Sequence, residues 1–194
     1  MIRKLYDWVM DWSESRYAIP ALFLIAFAES SFFPIPPDVL LMALAISGPK
    51  RAFLFAFVCT VGSVLGGVLG YGIGFYFFDI IGKDIIAFYG AGEKFAYVEH
   101  KYTENAFAAI SVAGFTPIPY KVFTIAAGVF NIGLPTLIGA SILGRAGRFF
   151  LVSALIYRFG PSIKAFIDRY FNILSIVFVV LLIGGFVLIR YIGG

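Results

Sequence analysis

Five ionisable residues lie in parts of the chain that are otherwise apolar, and these are Glu29, Asp38, Lys121, Arg145 and Arg148. A charged side chain within a membrane span costs about 2.5–3.5 kcal/mol on insertion scales. Five of them in a chain of 194 residues therefore predict a shared polar cavity. Three of the five are basic and two are acidic, so the cavity is expected to receive an anion.

The basic residues have the chemistry of a phosphate site. Arg145 and Arg148 are three residues apart, so they share one face of a helix. Because guanidinium groups bind phosphate through paired hydrogen bonds, we predict that these two arginines and Lys121 bind a phosphate-bearing substrate. Asp38 is expected to pair with Lys121. In the alternative interpretation, the charged residues form buried salt bridges that only fix the fold.

Glu29 is the residue that we expect to transfer protons. It lies in an apolar stretch of the sequence, and apolar surroundings favour the neutral form of a carboxyl group. We therefore predict that Glu29 takes up and releases a proton during a transport cycle.

The composition is that of an integral membrane protein. Hydrophobic residues make up 61% of the chain and charged residues 13%, whereas soluble domains have about 45–50% and about 25%. The basic residues are scattered, so no nucleic-acid partner is expected. Cys59 and His100 are the only residues of their types, which excludes an internal disulfide and predicts no metal or other cofactor. We interpret His100 as a solvated surface residue and expect no enzymatic activity.

The elements that must position the charged residues are helices in a membrane, because a spanning helix needs about 20 apolar residues. Three segments are long enough, and the second of them contains both arginines. The polar N-terminal segment has the apolar spacing of an interfacial amphipathic helix. The predicted all-α membrane domain consists of an interfacial helix 1–16, a re-entrant hairpin 17–47, a transmembrane helix 52–78, a surface segment 79–105, a second re-entrant hairpin 106–130, and transmembrane helices 134–157 and 170–190.

Both hairpins are predicted from proline pairs that interrupt apolar segments. Pro34 and Pro36 divide the first segment, and Pro117 and Pro119 divide the second. Proline lacks a backbone N–H and disfavours helix at the preceding residue, so each segment becomes two arms that are too short to cross a bilayer. Extended backbone at membrane depth is tolerated where it is buried or lines a wet cavity, which places the site at these breaks.

The two proline motifs belong to an internal repeat. Residues 33–46 (FPIPPDVLLMALAI) and 116–129 (TPIPYKVFTIAAGV) match at five of fourteen positions with a constant offset of 83. Each motif is followed by a full-length span, so the two halves are expected to have opposite orientations in the membrane. Interrupted helices at corresponding positions of an inverted repeat are typical of transporters with a site near the midplane. The alternative is a chance similarity of two proline-rich loops.

The basic residues also predict the orientation, since cytoplasmic loops are enriched in Lys and Arg. The N-terminal side of the predicted topology has eight of them and the opposite side has four. We therefore predict a multi-pass protein of the cell (inner) membrane with a cytoplasmic N-terminus and an external C-terminus. The eight are Arg3, Lys4, Arg16, Lys50, Arg51, Arg158, Lys164 and Arg169, and the four are Lys83, Lys94, Lys101 and Arg190.

The first predicted span carries a stripe of small residues. Gly62, Gly66, Gly70 and Gly74 are each four residues apart. Such a stripe lets another backbone approach closely. We predict that it packs against a re-entrant hairpin and lets that hairpin slide, with static helix packing or a homodimer as the alternatives.

Residues 29–38 read ESSFFPIPPD and resemble the E-x4-P-x-P-x-[DE] signature of the DedA family, whose domain is also called the SNARE-associated or VTT domain. The glycine-rich stretch and the second proline motif are similar too, and the likeness is greatest to the shorter, YqaA-like members. The resemblance implies paired re-entrant hairpins, an inverted repeat and proton-coupled movement of lipids, with Glu29 and Asp38 as the proton-coupling acids. Many members have arginines beside the second motif, where this chain has Gly114 and Lys121.

These observations predict a DedA-type membrane transporter, a flippase or scramblase for phosphate-bearing lipids such as phospholipids or undecaprenyl phosphate. Its expected partners are membrane lipids, with protons as the coupling ion. Two alternatives are a transporter of small ions or osmolytes that uses the same cavity and a membrane scaffold that transports nothing. A lateral opening to lipid favours the lipid transporter, and a sealed pocket favours the small-solute transporter.

Overall fold

A computed structural model describes residues 17–33, 35–82, 84, 88, 92–116, 118–160 and 162. All regular structure in these parts of the chain is helical, so the all-α prediction is confirmed for them. The predicted interfacial helix 1–16 and the predicted transmembrane helix 170–190 lie outside the described residues. So do Pro34 and Pro117, one proline of each motif.

Two short helices and one long helix form the first half of the described chain. Helix α1 spans Ala18–Ser31 and α2 spans Asp38–Ser47, on either side of the first proline motif. After a 3₁₀ turn at Pro49–Arg51, α3 spans Ala52–Phe77 and continues into a π-helical turn at Phe78–Gly82. At 1.5 Å per residue, α1 and α2 are about 21 and about 15 Å long, which is less than the hydrocarbon core of about 30 Å.

The second half repeats this order. Helix α4 spans Gly92–Phe115, with non-helical dihedral angles at Asn105, and α5 spans Tyr120–Val129 beyond the second proline motif. Helix α6 spans Leu134–Gly160 and contains a π-helical turn at Ile142–Ala146. The kink in α4 coincides with the predicted boundary between the surface segment and the second hairpin. The long helices α3 and α6 end at positions 77 and 160, which differ by the repeat offset of 83.

Among the described helices, α3 (together with the 3₁₀ turn before it) and α6 are long and apolar enough to span a membrane. The first covers Pro49–Phe77 with 29 residues, and the second has 27 residues, where about 20 suffice. Large apolar side chains remain exposed along both, such as Phe57 and Leu65 on α3 and Leu143 and Leu151 on α6. Exposed surfaces of this kind suit contact with lipid.

The glycine stripe of α3 is a contact surface for arms from both halves. Gly66 touches the main-chain carbonyl of Phe27 in α1, and Gly74 touches the carbonyl of Ile125 in α5. A Cβ atom at either position would overlap a carbonyl oxygen, so this close approach requires glycine. The stripe is therefore covered within one chain, and a homodimer would use another surface. Its two other members have neighbours of the same kind, with Gly62 beside the Phe23 carbonyl and Gly70 beside Thr124 and the Ser30 carbonyl.

Two apolar cores hold the helices together. In the first, α1, α2 and the beginning of α3 pack with Phe149 and Ile156 of α6. In the second, α4, α5 and the beginning of α6 pack around Tyr120, with Tyr71 of α3 against them. Each core thus combines two short arms with a side chain from the long helix of the other half, so the halves pack as one unit.

Candidate functional site

Arg145 lies on the π-helical turn of α6 and is 3% exposed. Its guanidinium donates hydrogen bonds to the carboxylate of Glu29 and, at 2.9 Å, to Oγ of Ser30 in α1. Its Nε donates to Oγ of Ser63 in α3. One buried cation therefore joins three helices, and π-helical turns occur frequently at functional sites.

Two aromatic rings lie against the same guanidinium. Its central carbon is 4.6 Å from the ring centroid of Tyr120 and 5.0 Å from that of Phe149, within the range of a cation–π interaction. Tyr120 is fully buried and donates its hydroxyl to Oγ of Ser141, which donates in turn to the carbonyl of Leu137. Through the Tyr120 ring, Arg145 also contacts α5, the arm that follows the second proline motif.

Arg148 forms a second ion pair further along α6. Its Nε and Nη2 donate to the two carboxylate oxygens of Asp38 at 2.9 and 3.0 Å, and its Nη1 donates to the carbonyl of Thr116 at 2.8 Å. Asp38 begins α2 directly after the first proline motif, and Thr116 directly precedes Pro117 of the second. Arg148 therefore contacts both motifs. Its side chain is 21% exposed and that of Asp38 is 16% exposed, whereas Arg145 is buried.

Buried hydroxyl groups that no sequence motif indicated surround the Arg145 pair. The Oγ atoms of Ser30 and Ser63 are 2.6 Å apart, and both residues are buried. The side chain of Thr124 in α5 donates to the main-chain carbonyl of Ser30 at 3.3 Å, which connects α5 to α1. Small polar residues within apolar helices were the available signal for these positions.

Two predictions about these charges were wrong. Asp38 does not pair with Lys121, because Arg148 of α6 reaches the beginning of α2 and takes both of its carboxylate oxygens. Glu29 is not in purely apolar surroundings, because it meets Arg145. Each of the two arginines contacts a different carboxylate on a different helix, and their binding of a phosphate stays a prediction.

Of the three basic residues among the five, Lys121 is the one that neither of these two ion pairs includes. It is half-buried at the second position of α5, and it makes no ion pair with any residue that the structure describes. Glu29 with Arg145, and Asp38 with Arg148, are formally neutral. The predicted net positive charge of the five residues therefore resides on Lys121.

Both proline motifs present exposed apolar side chains at corresponding positions. Pro36 and Pro119, themselves an equivalent pair, lie in non-helical backbone and are exposed. Around them, three residues in or next to each motif are exposed, and each has its equivalent 83 positions away in the other half. These pairs are Phe32 with Phe115, Ile35 with Ile118, and Val39 with Val122. The Arg148–Asp38 pair thus lies between two motifs that are each bordered by apolar surface.

His100 lies on the polar first part of α4. Its side chain is 70% exposed, and its Nε2 is 3.3 Å from a carboxylate oxygen of Glu104. The prediction of a solvated surface histidine is confirmed. Within the described ranges, no group of three or more His, Cys, Asp and Glu side chains is placed to hold a metal ion.

Comparison with known proteins agrees with the sequence resemblance. The family model described as "VTT domain" matches residues 35–158, which is more than half of the chain. An uncharacterized protein of Haemophilus influenzae is 36% identical over 186 residues, which cover 96% of each chain. An uncharacterized protein of Histophilus somni is 36% identical over 151 residues, or 78% of each chain. No solved structure matches the chain significantly.

The matched range includes both proline motifs in large part, the long helices α3 and α6, and four of the five ionisable residues, all but Glu29. The family is one of membrane transporter-like proteins, which agrees with the apolar composition and with the two helices of spanning length. The chain belongs to the VTT-domain family, the DedA family of membrane proteins.

Proposed function

We propose that this protein is a transporter of phosphate-bearing lipids, a flippase or scramblase that moves phospholipids or undecaprenyl phosphate across the cell membrane. The observation that carries this proposal is the Arg148–Asp38 ion pair, which is partly exposed between two apolar proline motifs. A phosphate-bearing lipid combines an anionic head with apolar chains, so it complements both parts of this arrangement. No covalent chemistry is needed, and we propose no enzymatic activity.

The charge distribution supports an anionic head group. The two neutral ion pairs leave Lys121, at the beginning of α5, as a cation with no ion-pair partner among the residues that the structure describes. A cation in an apolar region is stabilised by a counter-ion. A phosphate that approaches the second proline motif would meet the guanidinium of Arg148, which already holds the Thr116 carbonyl just before that motif.

The apolar surface of the motifs favours a lipid over a small solute. The six exposed side chains of the equivalent pairs described above are aromatic or aliphatic, and each is at least 38% exposed. A small ion or osmolyte would gain nothing from such a border, whereas acyl or prenyl chains bury apolar area against it. The repetition of the surface in both halves suits a substrate that is received from either leaflet.

Protons are the proposed coupling ion, with Asp38 as the proton acceptor that a phosphate releases, while Glu29 stays paired with Arg145. Each carboxylate is held by a guanidinium in the structure. If a phosphate takes the place of a carboxylate at an arginine, the released carboxylate loses its compensating charge in a poorly hydrated region. Uptake of a proton removes that unpaired charge. Proton uptake would thereby accompany phosphate binding. The cell (inner) membrane with a cytoplasmic N-terminus is the proposed location.

The test is a transport assay with purified protein in liposomes. Fluorescent phosphatidylglycerol and phosphatidylethanolamine labelled at the acyl chain are followed by dithionite quenching, and a labelled polyprenyl phosphate is followed in parallel. We expect rapid transbilayer movement that is lost in Arg148→Gln and retained in Glu104→Gln, an exposed carboxylate on α4. Movement no faster than in empty liposomes for every lipid, together with uptake of a small anion, would favour the small-solute transporter instead.

A further inference from the structure

We propose that Asp38 and Arg148 form a displaceable latch, in which the phosphate of the substrate replaces the Asp38 carboxylate at the Arg148 guanidinium while Arg145 keeps its partners. This inference rests on the proposed function. It gives different roles to the two arginines of α6. It assigns substrate contact to Arg148 and a framework role to Arg145.

The surroundings of Arg145 leave no room for an exchange of partners. Its guanidinium has hydrogen bonds to Glu29, Ser30 and Ser63 on two other helices, and it lies against the rings of Tyr120 and Phe149. At 3% exposure, a phosphate would reach it only after α1, α3 and α5 had separated. Although the Glu29 side chain is 16% exposed, a buried guanidinium with this many partners is costly to separate from its carboxylate.

The surroundings of Arg148 differ in each of these respects. Its side chain is 21% exposed, and its described hydrogen-bond partners are one carboxylate and one carbonyl. The carboxylate of Asp38 offers two oxygen atoms in the geometry that a phosphate also offers to a guanidinium. A phosphate can therefore take over both hydrogen bonds without a change in the arginine side chain.

Opening the latch also releases one proline motif from the other. In the closed state, Arg148 holds Asp38 at the beginning of α2 and the Thr116 carbonyl just before the second motif. Once a phosphate replaces Asp38, α2 is no longer tied to α6 by this pair.

The latch makes a prediction that a structural salt bridge does not make. Removing the Asp38 charge eliminates the competitor for Arg148, so the substrate binds more tightly although the protein becomes less stable. If the pair is closed for about nine-tenths of the time, the dissociation constant falls by about tenfold. Removing the Glu29 charge has no such effect, because its partner Arg145 does not meet the substrate.

The experiment measures binding of dihexanoyl phosphatidylglycerol and of inorganic phosphate to detergent-purified protein. We expect Asp38→Asn to bind the lipid about tenfold more tightly, Arg148→Gln to lose binding, and Glu29→Gln to show no gain. Glu104→Gln serves as the control, with wild-type affinity. Binding of the lipid alone would identify a lipid head group as the ligand, and equal binding of inorganic phosphate would identify phosphate itself.

The outcomes separate the two proposals. Wild-type protein that neither binds nor moves any probe would overturn the proposed function. Wild-type binding together with an Asp38→Asn variant of equal or lower affinity, or with an equal gain in Glu29→Gln, would overturn the latch alone. If Asp38→Asn does not purify as a folded protein, Arg148→Lys replaces it. Lysine keeps the charge but loses the paired geometry, so a folded Arg148→Lys protein with undiminished affinity would also overturn the latch.

Discussion

Asp38 and Arg148 are joined by two parallel hydrogen bonds of 2.9 and 3.0 Å although they are 110 residues apart in the chain. A paired contact of this kind fixes the orientation as well as the position of both groups. Because the same guanidinium also holds the carbonyl of Thr116, one side chain of α6 links the residue that follows the first proline motif to the residue that precedes the second.

The pairing of Asp38 with Arg148 can be tested by exchanging the charges. We expect Asp38→Arg and Arg148→Asp each to lower the free energy of unfolding, because each places two like charges together. The double variant should recover part of the loss, with a coupling energy of about 1–3 kcal/mol. Thermal denaturation in detergent gives the stability of the wild type, the two single variants and the double variant. Strictly additive losses would show that the two residues do not interact.

Removal of the Glu29 charge should be strongly destabilising. Glu29→Gln leaves the guanidinium of Arg145 buried without its carboxylate, and loss of one partner of a buried pair costs about 3–5 kcal/mol. Glu104→Gln is the matched control, because Glu104 lies on the exposed part of α4 and surface changes usually stay within about 0.5 kcal/mol. Equal melting temperatures for the two variants would contradict the buried pair.

Two glycines of α3 should respond in opposite ways to the same substitution. Gly66→Ala places a Cβ atom on the carbonyl of Phe27, so we expect a loss of about 1–3 kcal/mol from overpacking. At Gly72 nothing lies within 4 Å of an added Cβ, so Gly72→Ala should be neutral or gain up to about 1 kcal/mol from helix propensity. Chemical denaturation gives the free energy of unfolding of both variants. An unchanged value for Gly66→Ala would argue against close packing of α1 on α3.

Tyr120 should contribute through its ring as well as its hydroxyl. Tyr120→Phe removes the hydrogen bond to Ser141 and should cost about 1 kcal/mol. Tyr120→Leu also removes the ring from the Arg145 guanidinium, so we expect a further loss of at least about 1 kcal/mol. The difference in melting temperature between the two variants gives the contribution of the ring to stability. Equal melting temperatures would mean that the cation–π contact contributes nothing.

The apolar borders of the proline motifs should matter for lipid movement. We expect Ile35→Asn and Ile118→Asn to slow transbilayer movement of fluorescent phosphatidylglycerol about tenfold, because lipid chains lose apolar contact there. Phe57→Asn is the control, since Phe57 is an exposed apolar residue of α3 outside both motifs. An equal effect at all three positions would indicate general damage to the fold rather than a path for lipid.

The class of protein, the helical architecture and the position of the breaks follow from the sequence alone. Spanning length and apolar composition are local properties, and so is the effect of Pro36 and Pro119 on the backbone. The repeat offset of 83 likewise anticipated that exposed residues such as Ile35 and Ile118 would correspond. Each of these features can be read from composition, from local spacing or from a comparison of the sequence with itself.

The partners of the charged residues were decided by the tertiary structure. Charge alone allowed Asp38 to pair with Lys121, but the pair that forms is the one whose helices bring the two groups within hydrogen-bond distance, and that is Asp38 with Arg148. The burial of Arg145 beside Ser63 depends in the same way on how closely α1 approaches the glycines of α3. Residue types fix what a side chain can bind, whereas contacts over long sequence separations depend on packing to within an ångström, and no local pattern encodes that.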